Sequence, residues 1–187
     1  MLFHGTNMAK AAVTTVLAPS ASGVTVVLYS RIVKKRYDLP MVLNGILAGL
    51  VSITAGCVAV ADGSALAIGV IGAFVYLGAA ALLERFQIDD PLGAIPVHGA
   101  CGIWGVWAVG IFANSAASAD SYGAGLNRSA QFGMQFVAPF IIIAWSGAFS
   151  AALFTGLKKL KVLRVPEEDE KVGLDVSEHG GAQILHF

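Results

Sequence analysis

Five stretches of the chain hold no Asp, Glu, Lys or Arg: Ala11 to Ser30, Met41 to Ala61, Gly63 to Leu83, Pro91 to Ala119 and Ser129 to Leu157. Each can supply a helix of roughly 20 residues, enough to cross a hydrocarbon core about 30 Å thick. The second and third are the most uniform. The first is interrupted by Pro19, Ser20 and Ser22, and the last two are long enough to include some loop. The pattern predicts an all-α membrane protein with five transmembrane helices. Its membrane domain runs from residue 7 to 157 and is followed by a polar tail from 158 to 187.

Composition agrees. Of 187 residues, 56% are hydrophobic and 13% charged, where ordinary soluble domains carry about 25% charged residues. Mean hydropathy is +0.73. The net charge is zero, which by itself says nothing about nucleic acid; no nucleic-acid partner is expected. The placement of the charges says more. Ten of the twelve Lys and Arg residues fall on one side of the five spans: Arg31, Lys34, Lys35, Arg36, Arg85, Lys158, Lys159, Lys161, Arg164 and Lys171. Lys10 and Arg128 lie on the other. By the positive-inside rule the N-terminus is outside and the tail cytoplasmic. The first ten residues do not read as a signal peptide.

Between the spans, Asp62-Gly63 predicts a tight outer turn that makes the second and third spans antiparallel neighbours. Asp89-Asp90-Pro91 predicts a helix start, with Asp capping free amides and Pro accepted in the first turn. Glu84 and Arg85 read as a cytoplasmic loop pair. Gly45 and Gly49, Gly69 and Gly72, and Gly99, Gly102 and Gly105 form smooth ridges where helix backbones can approach. Cys57 and Cys101 read as small buried residues, with no metal-ligand spacing. The tail turns acidic at Pro166-Glu-Glu-Asp-Glu170. The polar, glycine-flanked segment after it reads as a solvated end that would be ordered only by docking.

One residue stands apart. His98 lies inside Pro91-Leu-Gly-Ala-Ile-Pro-Val-His-Gly-Ala-Cys-Gly-Ile-Trp-Gly-Val-Trp107, a run otherwise made only of apolar and small residues. An ionisable ring at membrane depth is costly and points to a pathway for protons, ions or a small polar substrate. Ala94, one turn earlier, and Gly102, one turn later, leave that helical face open.

Three blocks carry a family resemblance: Leu43-Asn-Gly-Ile-Leu-Ala-Gly-Leu-Val-Ser-Ile-Thr-Ala-Gly-Cys57, Asp89-Asp-Pro-Leu-Gly-Ala-Ile-Pro-Val-His-Gly-Ala-Cys-Gly-Ile-Trp-Gly105, and Gly173-Leu-Asp-Val-Ser-Glu-His-Gly180. The chain resembles the Amt branch of the ammonium transporter (Amt/Mep/Rh) family, and matches only about its C-terminal half. The resemblance implies helices seven to eleven of an eleven-helix fold built from two inverted five-helix repeats. It also implies a homotrimer in the plasma membrane, surrounded by lipid, whose substrate is ammonium or ammonia. His98 matches the second of the family's paired pore histidines, with Ala94 on the same pore face. The first histidine, the phenylalanine gate and the outer aromatic cation site belong to a missing N-terminal half. The tail residues Gly173, Asp175, Ser177, His179 and Gly180 match the family's regulatory segment, with Ser177 where plant members carry a regulatory threonine.

No catalytic residues, metal or cofactor are expected, and the chain is not read as an enzyme. A non-conducting ammonium sensor or regulatory subunit on the same scaffold is the alternative. A membrane redox protein with a His-ligated haem would need a second axial ligand at comparable depth, which the sequence does not offer.

Overall fold

The computed structural model describes residues 2–113 and 128–173, and these are helical almost throughout. They fall into two compact units, Met1–Pro139 and Phe140–Phe187. The first holds α1 (Leu2–Ile32), α2 (Leu39–Thr54), α3 (Asp62–Phe86), a π-helical segment (Ile95–Ala100) that continues directly into α4 (Cys101–Phe112), and the beginning of α5 (Arg128–Lys159). The second holds the rest of α5 and the short α6 (Glu167–Val172).

Four segments among the described residues are long and apolar enough to cross a membrane: Asn7–Ile32, Asp62–Phe86, Ile95–Phe112 and Ser129–Lys159. The second expected span yields the shorter apolar helix α2, 16 residues that rise about 24 Å. The remainder of that stretch winds into turns, with Gly56 N donating to Ile53 O and both Ala59 N and Val60 N donating to Gly56 O. Irregular backbone at membrane depth needs its polar groups satisfied within the protein. Thr14 on α1 does this by donating its hydroxyl to Cys57 O at 2.7 Å. The reversal between the second and third spans is therefore made by residues 55–61. Asp62 and Gly63, expected to form it, are instead the first residues of α3, where Asp62 complements the positive end of the helix dipole.

Both α1 and the π/α4 segment pack against the α2–α3 pair. Within lipid the hydrophobic effect supplies no net attraction between helices, so association rests on close packing and interhelical hydrogen bonds. Both are visible. A Cβ at Gly49 would lie 2.6 Å from Pro19 Cα, and one at Gly105 would lie 2.8 Å from Ser52 O. The Ser22 hydroxyl donates to Gly45 O at 2.6 Å and Trp104 Nε1 donates to Ile68 O at 3.1 Å. Bonds of this kind contribute about 0.6 kcal/mol each. Cys101 is fully buried against Gly72 O, and Cys57 is half-buried. The polar residues that interrupt the first span are absorbed without breaking α1, which runs through Pro19 while Ser20 donates back to Val16 O.

The helix ends follow local chemistry. Ser30, fully buried, accepts from Asp38 N and donates to Arg36 O, and Asp38 caps α2 through Met41 N. Glu84 and Arg85 belong to the last turn of α3 rather than to a loop. That helix closes on Gln87 in the left-handed region, with Ile88 N reaching back to Leu83 O. At the opposite end of the unit, Val60 pairs with Ala113 in a single antiparallel bridge.

In the second unit the apolar side chains of α5 are largely exposed, Ile141 and Trp145 among them. The acidic segment forms α6, in which Lys171 pairs with Glu167 at 2.7 Å and Arg164 reaches Glu170.

Candidate functional site

The segment carrying His98 is built from its N-terminal end. Asp90 accepts hydrogen bonds from Ala94 N through Oδ1 at 2.9 Å and from Ile95 N through Oδ2 at 2.8 Å, so one carboxylate satisfies two of the amides a helix start leaves free. Gly93 precedes them at φ +70°, a left-handed conformation suited to glycine. Pro96 sits in the first turn and brings no N–H to the carbonyl of Leu92. Asn44 on α2 supplies a donor instead, its Nδ2 lying 3.2 Å from Leu92 O. A Cβ on Gly93 would lie 3.0 Å from the same Nδ2. The turn that launches the site is therefore held by α2.

The next six residues, Ile95 to Ala100, are wound as a π-helix, with Cys101 N reaching back to Pro96 O. A π turn holds an extra residue relative to an α turn and is frequent at functional sites. Here it divides two faces. Pro96 and Val97 are buried against the protein, while Ala94, Ile95, His98 and Gly99 are exposed. The His98 ring makes no hydrogen bond to any other described residue. Gly99 has only Ile95 Cγ2 near its missing Cβ, at 3.8 Å, and Gly102 is half-buried beside Val51. The open surface is thus Ala94, Ile95, His98 and Gly99. The sequence identified Ala94 and His98 but placed Gly102 on this face, because the extra residue of the turn is not visible in helical spacing.

Below the π turn the register locks. Cys101, Gly105, Ala108 and Val109 are buried, and Trp104 and Trp107 direct their indole N–H groups to Ile68 O and Phe136 O. Trp107 also stacks on Phe136 with centroids 5.3 Å apart. Both tryptophans are packing residues. Of the tail motif, Gly173 is described and ends α6 at φ +92°. Asp175, Ser177, His179 and Gly180 lie outside the described residues.

The family model described as Ammonium Transporter Family matches residues 2–184. The chain belongs to the ammonium transporter family. Within that family it is 35% identical over 197 residues to ammonium transporter 1 member 4 of Arabidopsis thaliana, covering 98% of this chain and 39% of the relative. It is 36% identical over 188 residues to ammonium transporter 1 member 1 of Oryza sativa subsp. japonica, covering 96% and 38%. The chain therefore spans about two fifths of the length of the curated relatives it matches. Among solved structures it resembles a chain named Sensor Amt Protein, with TM-score 0.82 and 36% identity over 92% of this chain and 42% of that one. Mep2 of Candida albicans shares the fold at TM-score 0.76 and 23% identity, over 87% and 38%. The helical membrane architecture and the family thus stand together.

Proposed function

We propose that this chain is the C-terminal half of an ammonium transporter and supplies one wall of its pore, with His98 and Ala94 facing the path. The observation that carries the reading is the exposed His98 on a π turn whose other face is buried. A bare ammonium ion in a low-dielectric medium faces a Born penalty on the order of 20 kcal/mol, reduced to several after relaxation. A selective path either replaces the ion's hydration or separates the proton from neutral ammonia. Imidazole serves the second route, since one ring nitrogen accepts while the other donates and its ordinary pKa lies near physiological pH. Alkali ions have no proton to give up and are rejected by the apolar surroundings.

In this reading the missing partner for the open face is an N-terminal half, with the substrate path between the two repeats, as is common in repeat-built transporters. The whole assembly is a homotrimer in the plasma membrane, N-terminus outside. Residues 7–157 form the membrane domain and residues 158–187 a cytoplasmic tail that regulates the pore. Relatives named as ammonium transporters favour transport over the sensor alternative.

Methylammonium uptake tests the proposal. The 187-residue chain alone in liposomes should not conduct, and uptake should appear when an N-terminal half is co-expressed. His98→Ala should then lower it by about a hundredfold, the scale of a lost proton-transfer group. Saturable, potassium-insensitive uptake by the chain alone would refute the half-pore reading and place the path between copies of the chain.

A further inference from the structure

Of the polar side chains on α2, Ser52 and Thr54 bond back to their own helix, donating to Ala48 O and Val51 O. Asn44 instead reaches outward. Its Nδ2 donates to Leu92 O at 3.2 Å, and the same side chain shares a hydrogen bond with that of Tyr76 on α3, which is buried. One amide thus links α2, α3 and the turn that leads to His98. The backbone amides near Leu92 O are committed elsewhere: Ala94 N and Ile95 N to Asp90, and Val97 N to Gly93 O at 3.1 Å, while Pro96 has none. Asp90 shapes the turn from within its own segment. Asn44 ties it to the rest of the bundle.

At its other end the segment is fixed on α3, with Cys101 Sγ donating to Gly72 O at 3.5 Å and Trp104 Nε1 to Ile68 O at 3.1 Å. His98 lies between these two ties. Leu92 is 80% exposed, and at an exposed position water can satisfy a free carbonyl. Satisfying Leu92 O therefore does not in itself require Asn44, but water would leave the place of the turn unset. We propose that Asn44, held by Tyr76, is a positioning residue for His98. It acts through the backbone of residues 92–98 and sets the height and direction of the ring on the open face. The inference rests on the reading of His98 as a pore residue. Transfer of a proton needs the reacting atoms about 3–3.5 Å apart, and a misplacement of about 1 Å can cost a hundredfold. A ring carried on a turn without its tie to α2 loses part of that alignment.

Methylammonium uptake by the 187-residue chain co-expressed with an N-terminal half, expressed per folded assembly, tests the proposal. Asn44→Leu, close in size but without a donor, should lower the maximal rate by about tenfold and leave the half-saturating concentration unchanged, because binding is not what is lost. The ratio of uptake in H2O to uptake in D2O should rise, since the proton step becomes the slower one. In a His98→Ala background the same substitution should lower uptake by less than about twofold, because the residue through which Asn44 acts is gone. Asn44→Ala, which cannot overpack, carries the same comparison if Asn44→Leu does not fold. Unchanged uptake and isotope ratio with Asn44 replaced, in an assembly that His98→Ala does impair, would overturn this proposal alone. Equal losses with and without His98 would make Asn44 a support of the fold only, and would also overturn it. No uptake from the co-expressed parent, or none lost with His98→Ala, would overturn the pore reading and this proposal with it.

Discussion

Gly69→Ala adds one methyl group at the tightest crossing in the bundle. The new Cβ would lie 2.1 Å from Ala18 O, 2.8 Å from Ala18 C and 2.9 Å from Ala18 Cα. All three are backbone atoms, so no rotamer change relieves the clash. The approach to the carbonyl is about 1.3 Å short of ordinary contact, which begins at 3.4 Å, and α1 must back away from α3 by that order. A radial gap of this size forfeits a quarter to a half or more of each dispersion contact. It also stretches the Ser22–Gly45 and Thr14–Cys57 bonds that tie α1 to α2 and to the turn after it, contributing about 0.6 kcal/mol each. The sum falls near the upper range for overpacking, about 2–3 kcal/mol. At about 2–4 °C per kcal/mol for a chain of this length, the unfolding midpoint should drop by roughly 4–12 °C. Gly78→Ala is the matched control: it lies in the same helix with nothing within 4 Å of its Cβ, and should leave the midpoint unchanged or slightly raised because alanine favours helix. Far-UV circular dichroism melts in mild detergent report both. A Gly69→Ala midpoint within about 2 °C of the parent would show that α1 does not depend on close approach to α3, and the account of the bundle would fail.

Asp90→Ala should cost about 1–2 kcal/mol by leaving Ala94 N and Ile95 N without their acceptor, a drop of roughly 2–8 °C in the same melts. An unchanged midpoint would mean water caps the segment equally well. For topology, cysteines at Lys35 and Asn127 in a background lacking Cys57 and Cys101 should show Asn127→Cys labelled by an impermeant reagent from outside and Lys35→Cys protected, because ten of twelve cations segregate to the Lys35 side; the reverse pattern would invert the assignment. In a full-length background, Ser177→Asp should lower uptake relative to Ser177→Ala, since a phosphate there adds about −1.5 to −2 charges beside Asp175 and Glu178. Equal uptake by the two would remove the tail switch.

The sequence made the spans legible because charge is excluded from hydrocarbon: α1, α3, α4 and α5 fall on the charge-free stretches. The cap at Asp90 was legible as a carboxylate ahead of a helix, whereas Pro91, expected in the first turn, lies in the turn before it and the first-turn proline is Pro96. The turn at residues 55–61 was not. Between Ala55 and Ala61 only Gly56 disfavours a helix, by about 1 kcal/mol, a weak signal in a span that holds other glycines, and the deviation is supported from outside by the Thr14 hydroxyl on Cys57 O. Long-range partners of this kind leave no local signal. The same holds for the π turn. His98 stood out by its chemistry, while the residues sharing its face depended on a winding that Pro96, Asn44 and Asp90 impose together. The tertiary role of Ser30 was likewise hidden, because a serine near a helix end looks like any polar residue until its donor and acceptor are both located.

The π turn also uncouples two demands that one regular helix would have to meet together. Successive residues of an α-helix are separated by about 100° around the axis. Rewinding this turn as α with all its residues kept would rotate the two parts by about that angle relative to each other. If Gly105 stayed seated on Ser52, His98 would swing away from the open face; if His98 kept its direction, Gly105 would leave its seat. The inserted residue works as a phase adjuster, allowing the packing stripe of α4 and the orientation of the imidazole to be tuned separately. Substitutions that keep the π winding should therefore be tolerated more readily than changes that rewind it as α with its residues kept, which reset the angle between anchor and ring in one step.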